Sequence, residues 1–149
     1  MSKRYFSQTY GVVGAIVEKN GKILLVKETK KIAKGLWCYP AGWINIKEET
    51  GYVFTPDYII GFYSSYQKCL KKKFSITPHS IKIIFSGEIS KKNKDKLAND
   101  VSRINWFTPE EIYQMDKNTL RNIDAKQIFK DYFAKKRYPL KALTHIVNE

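Results

Sequence analysis

The strongest constraint on the fold is a pair of apolar, β-branched runs near the N-terminus, joined by a short polar turn. The first run covers residues 11–17 (GVVGAIV) and the second covers residues 23–26 (ILLV). Asn20-Gly21 stands between them, and this dipeptide is typical of the tight turn that joins two antiparallel strands. The sequence therefore predicts a β-hairpin in this region.

Three further segments have the composition of β-strands. They are residues 36–39, residues 58–66 and residues 80–89. The first of these is expected to end at Pro40, because proline has no N–H group to donate to a sheet. The chain contains no internal repeat and no linker rich in Pro, Gly and Ser, so residues 1–149 are expected to form a single domain.

The C-terminal third has helical signals. Thr108 is expected to be a helix N-cap, because Pro109 suits the first helical position and Glu111 can complete a capping box. Apolar residues then recur at roughly helical spacing over residues 116–135, which predicts a second helix there. Strands dominate first and helices last, so the pattern indicates an α/β or α+β class.

The chain is strongly basic, with 27 Lys and Arg residues against 14 Asp and Glu residues and a formal net charge of +13. Such a charge attracts polyanions such as nucleotides or RNA, although base-composition bias and solubility produce the same composition. No apolar run approaches the ~20 residues of a membrane span, and the N-terminus lacks a signal-peptide pattern. Cys38 and Cys69 belong to no CxxC motif, which fits reduced thiols, so a cytoplasmic protein without a membrane partner is expected.

The segment that carries chemistry begins where the third predicted strand ends. Residues 40–42 (PAG) form a turn signal, and residues 48–52 (EETGY) follow closely. Together with the preceding hairpin and the later run at residues 106–112 (WFTPEEI), they resemble the Nudix family, whose box has the pattern G-x5-E-x7-R-E-U-x-E-E-x-G-U with U apolar. Residues 137–140 (RYPL) resemble the C-terminal end of the NudJ-type phosphatase branch of that family.

The box of this chain is shorter than the family pattern. Gly42 matches the opening glycine, and Glu48 and Glu49 match the acidic pair. In the family pattern the first Glu of the pair follows the glycine by 18 positions, whereas Glu48 follows Gly42 by six positions. About 12 residues are therefore absent, including the lone Glu and the R-E dipeptide, and Asn45 stands where the family has a carboxylate.

The resemblance implies a Nudix-type α/β/α sandwich, a mixed sheet flanked by helices, and a site for divalent cations. In the family, glutamates spaced by three and four residues share one helix face and bind cations that neutralise a diphosphate and activate water. Glu48, Glu49 and the carbonyl of Gly42 would be the remaining metal ligands here. The expected cofactor is Mg²⁺, with Mn²⁺ as the alternative.

Five residues are candidates for other roles at the site. The resemblance implies an acidic residue near the metal at Asp100, as a general base or outer-sphere group, and the alternative role is a loop cap. Trp43 and Tyr39 are candidates for stacking on a nucleobase, and core packing is the alternative for both. Lys27 and Arg103 are candidates for contacting phosphate oxygens.

The resemblance implies a hydrolase that acts on nucleoside di- or triphosphates or related small pyrophosphates. The partner is then a small phosphorylated substrate, with RNA as a second candidate on the basis of charge, and the protein is a monomer or a homodimer. The incomplete box raises a competing hypothesis: a catalytically inactive nucleotide- or RNA-binding protein on the same fold. A decaying gene product without function is a third.

Overall fold

The computed structural model describes residues 9–31, 33–42, 50–66, 79–92, 101–121, 124–144 and 146–147. Its strands in chain order are β1 (Thr9–Lys19), β2 (Lys22–Glu28), β3 (Trp37–Cys38), β4 (Ala41–Gly42), β5 (Tyr52–Tyr66), β6 (His79–Lys92), β7 (Val101–Phe107) and β8 (Tyr138–Pro139). The helices of the described residues are α1 (Pro109–Gln114) and α2 (Asp124–Phe133), followed by a 3-10 turn (Leu140–Ala142).

β1 and β2 form the hairpin that the sequence predicted. They pair antiparallel with Glu18 opposite Ile23. Asn20 and Gly21 have φ angles of 52° and 73°, the left-handed conformation that a type I′ turn requires at both central positions. Asn and Gly adopt this conformation at lower cost than other residues, so the local sequence determines the turn.

The strands form one mixed sheet in the order β3-β2-β1-β6-β5-β8, with β4 paired to β1 and β7 paired to β2. β1 and β6 run parallel, and the other pairs are antiparallel. The strands predicted at residues 11–17, 23–26 and 80–89 are confirmed as parts of β1, β2 and β6. With the helices packed on it, this sheet confirms the expected α/β fold.

One face of the central strands is covered by the helices. Ile16, Ile60 and Ile84 are fully buried there, in one cluster with Ile128 and Phe129 of α2. The same cluster includes Ile112 of α1. Apolar burial of this kind is the main stabilising contribution to the fold.

The opposite face is covered over only part of its length. Ala15, Val17 and Leu24 are buried in a second cluster, against partly buried aromatic and aliphatic side chains of β5, β6 and β7. Farther along the same face, Val13, Phe62 and Ile81 are 39%, 57% and 43% exposed. Val13 pairs with Gly42, so the exposed part lies where the segment resembling the Nudix box begins.

Helix α1 begins as the sequence predicted. The Thr108 hydroxyl accepts a hydrogen bond from the Glu111 backbone N–H at 3.2 Å, and the Thr108 backbone N–H donates to the Glu111 carboxylate at 2.7 Å. This capping box satisfies backbone donors that a helix start leaves without partners. In the described residues, no helix is both long and apolar enough to span a membrane.

The prediction of one helix over residues 116–135 is wrong in its first part, because α2 begins only at Asp124. The Asp116 carboxylate accepts hydrogen bonds from the Asn118 backbone N–H and the Thr119 hydroxyl. The bond from Asn118 is the main cause that lowers the pKa of Asp116. Such local bonds favour a turn over a helix, and Leu120 then forms a bridge to Trp37.

Candidate functional site

The end of β2 carries a buried carboxylate with two hydrogen-bond donors. Glu28 is 9% exposed, and its carboxylate accepts hydrogen bonds from Arg121 Nη1 at 2.5 Å and from the Lys30 backbone N–H at 3.2 Å. A buried carboxylate is costly unless it is paired and hydrogen-bonded. The contact with Arg121 supplies the paired, hydrogen-bonded partner that a carboxylate buried in this position needs.

Arg121 reaches Glu28 because the segment before α2 is bound to the edge of β3. The Arg121 backbone N–H donates to the Trp37 carbonyl, and the Trp37 backbone N–H donates to the Thr119 carbonyl, both at 2.8 Å. The side chain of Arg121 is 34% exposed. Within the described parts of the chain, Glu28 is its only ion-pair partner, so the other guanidinium N–H groups can bind a ligand.

Lys27 and Arg103, two candidates for phosphate contacts, are brought together by the fold. They are direct partners across β2 and β7, and Lys27 is also the partner of Trp37 across β3. The Lys27 ammonium lies 5.3 Å from the centroid of the Trp37 ring, a cation–π contact. Like charges directly opposite each other on a sheet are destabilising, so this pair would be stabilised by a bound anion.

A β-bulge separates this cation pair from the buried carboxylate. Lys27 is opposite Arg103, but Glu28 is opposite Val101, which leaves Ser102 as an additional residue in β7. The Ser102 hydroxyl donates to the Lys27 carbonyl at 3.3 Å. Bulges redirect side chains and are common next to active sites, so this irregularity marks the end of β2 as a candidate site.

Tyr39, a candidate for base stacking, lies in the core. Its side chain is 2% exposed, and its ring contacts Phe129 edge to face with 6.2 Å between centroids. Burial is the main cause that raises the pKa of the Tyr39 hydroxyl well above its ordinary value of 10.0. The ring has no exposed face on which a base could stack, which corresponds to the core-packing alternative.

Gly42 lies on β4 opposite Val13 of β1. Trp43, Glu48, Glu49 and Asp100 lie outside the described residues. Among the described residues, no group of three or more His, Cys, Asp and Glu side chains could hold a metal ion. Two carboxylates and a backbone carbonyl are hard oxygen donors, and this donor set fits Mg²⁺ better than a softer transition metal.

A cavity of about 360 Å³ adjoins the segment that carries Arg121. It is lined by Asp116, Lys117, Leu120 and Lys126, and this volume lies within the range of small-molecule sites. Its lining is almost entirely apolar. The Asp116 carboxylate is bound within its own turn, and the Lys126 ammonium donates to the Tyr113 carbonyl at 3.2 Å.

Sequence reasoning assigned no role to Arg121 or to Glu28. A charged residue at the end of the apolar run of residues 23–26 was the available signal for Glu28. For Arg121 there was no such signal, because it is one of 27 cationic side chains and its partner lies 93 positions away in the sequence.

Comparisons with known proteins agree on one family. A family model described as NUDIX domain matches residues 8–131. A protein of Methanocaldococcus jannaschii named ADP-ribose pyrophosphatase is 29% identical to this chain, over 80% of this chain and 70% of that protein. A solved NUDIX hydrolase from Nitrosomonas europaea is 28% identical, covers 93% of this chain and 98% of its own, and superposes with a TM-score of 0.79.

A more distant solved structure is similar in fold. It is the NUDIX domain of Shewanella oneidensis NrtR, described as a complex with ADP ribose. It is 17% identical to this chain, covers 91% of this chain and 93% of its own, and gives a TM-score of 0.60.

Proposed function

The chain belongs to the NUDIX domain family, and from this premise we propose that it hydrolyses a diphosphate bond in a nucleoside diphosphate derivative or a nucleoside triphosphate. The observation that carries the proposal is the family match over residues 8–131. It is supported by the two cations, Lys27 and Arg103, that the sheet places directly opposite each other. ADP-ribose is the first substrate to test, because a relative at 29% identity is named for it.

Divalent metals are general cofactors of the family, and Mg²⁺ is our specific proposal. Glu48, Glu49 and the Gly42 carbonyl are the residues that would bind it. Mg²⁺ held by these groups would supply the positive charge that neutralises diphosphate oxygens and makes a water molecule more nucleophilic. Lys27 and Arg103 bind phosphate oxygens and orient the substrate, and Asp100 accepts the proton of the attacking water as the P–O bond to the leaving phosphate breaks.

We further propose that the box is shortened and that this lowers the rate of hydrolysis. Losing one carboxylate from a metal site commonly costs several kcal/mol of transition-state stabilisation, and ~4 kcal/mol corresponds to about a thousandfold in rate. Val13, the partner of Gly42, is 39% exposed, which supports the idea that less chain covers this face than in an intact relative. Residues 137–140 support the NudJ-type branch.

The test compares this chain with a variant that has the absent residues inserted between Asn45 and Ile46 from a close relative. Phosphate release is measured with Mg²⁺ at alkaline pH on ADP-ribose and nucleoside triphosphates, with a coupled phosphatase where the product is a monophosphate. We expect the inserted variant to be faster by roughly a thousandfold. Comparable turnover in both proteins would show that Glu48, Glu49 and Asp100 suffice without the absent residues.

Metal binding has its own test. Mg²⁺ or Mn²⁺ should raise the melting temperature in proportion to the logarithm of concentration above the Kd. Glu49→Gln should abolish this shift, and Glu88→Gln on β6 is the matched control that should not. A shift that persists in Glu49→Gln would place the metal elsewhere.

The second candidate function is a nucleotide-binding protein without turnover, and it is favoured by the absence of the R-E dipeptide from the box. It predicts binding of ADP-ribose with no hydrolysis over a long incubation with Mg²⁺. Measuring both binding of ADP-ribose and its hydrolysis distinguishes the candidates, because an enzyme consumes the ligand that it binds.

A further inference from the structure

Arg121 has the features of a ligand-binding arginine, although the box that suggested the function does not include it. Its guanidinium is bound on one side by the buried Glu28 carboxylate at 2.5 Å, and its backbone is bound to Trp37. Its side chain is 34% exposed. An arginine positioned by a carboxylate behind it presents its remaining N–H groups in a fixed fork that matches phosphate oxygens.

The charge around this pair favours an anion. Residues 27–35 contain four lysines, and Glu28 is the single acidic residue among them. That one carboxylate is already engaged by Arg121 and by the Lys30 backbone N–H. The segment therefore carries a net positive charge, which attracts a ligand with negative charge.

We propose that Arg121 is an anion-binding residue that contacts a phosphate group of the substrate, and that Glu28 is the residue that positions its guanidinium. The inference rests on the proposed function, since it takes the substrate to be a phosphorylated nucleotide. It adds a binding residue from the segment before α2, remote in sequence from the residues that resemble the Nudix box. Glu28 acts through Arg121 and does not itself contact the ligand.

A purely structural role is the alternative, because the pair also attaches the segment before α2 to the end of β2. Arg121→Gln alone cannot separate the two roles, since it leaves Glu28 buried without an ionic partner, which is destabilising in either case. The double variant Glu28→Gln/Arg121→Gln separates them. Two neutral amides can still hydrogen-bond to each other, so the double variant should regain most of the melting temperature that Arg121→Gln loses.

Binding is measured by isothermal titration calorimetry with ADP-ribose and with inorganic pyrophosphate, both in EDTA so that no metal contributes. We expect Arg121→Gln to weaken binding roughly ten- to hundredfold, the usual effect of losing a hydrogen bond between charged groups. The double variant should bind as weakly as Arg121→Gln although its stability recovers. Lys22→Gln, at the other end of β2, carries the same change in net charge and should alter binding less than about twofold.

The positioning role of Glu28 is tested with Glu28→Asp, which retains the charge but retracts the carboxylate by one methylene. We expect affinity to fall about three- to tenfold when Arg121 is present and to be unchanged in the Arg121→Gln background. With turnover as the readout, Glu28→Asp should raise KM and leave kcat unchanged.

Either of two binding results would overturn the inference, and a third test uses turnover. One is a double variant that recovers affinity together with stability, which would make the pair structural. The other is a wild-type protein that binds neither probe in EDTA. If Arg121→Gln hydrolyses ADP-ribose with an unchanged KM, the inference fails while the proposed function stands. If neither the wild-type protein nor any variant turns over a substrate, the proposed function fails on its own.

Discussion

The two faces of β1, β5 and β6 differ sharply, although the same three strands build both. On the face toward α2, Ile16, Ile60 and Ile84 are fully buried. On the other face, Val13, Phe62 and Ile81 are 39–57% exposed. Successive side chains of a strand point to opposite faces, and the register shift between Ile59 and Gly61 places Phe62 on the face opposite to that of Ile60. Burial thus depends on what packs on each face, and apolar character alone does not predict it.

Helix α2 covers its face with apolar packing and also with charged contacts. Lys82 of β6 is buried and forms an ion pair with Asp124 at the start of the helix. The Tyr63 hydroxyl donates to the Asp131 carboxylate at 2.9 Å. These directional contacts determine where the helix lies on the sheet, because a misplaced helix would leave buried charges without partners.

The largest expected effect on stability comes from truncating a side chain at the centre of the face that α2 covers. Phe129→Ala removes a fully buried ring and should lower the free energy of unfolding by about 3–5 kcal/mol, measured by urea denaturation. The matched change is Phe62→Ala on the opposite face, the partly exposed face that carries Val13, Phe62 and Ile81 and is called the open face below. It should lower the free energy of unfolding by less than about 1 kcal/mol. Equal losses at the two positions would contradict the contrast between the faces.

A smaller loss of stability is expected from adding a methyl group to β1 at the point where the strand approaches Tyr39. A Cβ atom at Gly14 would lie 2.6 Å from the Tyr39 ring, whereas one at Gly11 would have nothing within 4 Å. Gly14→Ala should therefore cost about 1–3 kcal/mol of stability, because the buried ring must move. Gly11→Ala should be neutral or slightly stabilising, since alanine restricts the unfolded chain. A large loss for Gly11→Ala would show that the open face is covered in solution.

The polar contacts of α2 predict a pH dependence. Burial by itself would raise the pKa of Asp131, but hydrogen bonds from Lys136, Tyr63 and Gln127 outweigh it, so its pKa lies below the ordinary value of 3.8. A lowered folded-state pKa contributes stability above about pH 4, and this contribution is lost as the pH falls through the folded-state pKa. Asp131→Asn should therefore cost about 1–2 kcal/mol at pH 7.

The same variant should approach the wild-type stability as the pH falls through the lowered folded-state pKa of Asp131, below which both proteins carry a neutral group at this position. Urea denaturation at pH 7 and pH 3 measures the difference in the free energy of unfolding between the wild-type protein and Asp131→Asn. Asp57→Asn in β5 is the control, because Asp57 is exposed and forms no ion pair with a described residue. A difference between wild type and Asp131→Asn that is the same at both pH values would rule out this role for Asp131.

The smallest expected effect is on the open face itself. The double variant Val13→Thr/Ile81→Thr retains β-branched side chains, so its stability should change by less than about 1 kcal/mol. Its binding of a hydrophobic dye should fall, because exposed apolar surface is what such dyes contact. A loss of more than about 2 kcal/mol would mean that these residues are buried in solution.

The hairpin turn, the capping box of α1 and the strands could be predicted because each depends on residues close together in the sequence. Asn20 and Gly21 set the turn, and Thr108 and Glu111 bond across three positions. The prediction of one helix over residues 116–135 failed for a local and a distant reason. The Asp116 carboxylate binds Asn118 and Thr119 in a turn, and Leu120 bridges to Trp37. The bridge from Leu120 to Trp37 joins segments far apart in the chain, and spacing within one segment carries no information about it.

By itself, the sequence determined the class of fold, the family resemblance and the oxygen donors expected for a metal. The tertiary structure alone decided that Tyr39 faces the core, that Lys27 lies opposite Arg103, and that Glu28 binds Arg121. The physical reason is that a side chain's function depends on what lies beside it in space. Strand pairing brings together residues separated by tens of positions. A local pattern of polar and apolar residues therefore does not predict which of the many cationic side chains forms the ion pair with the buried carboxylate.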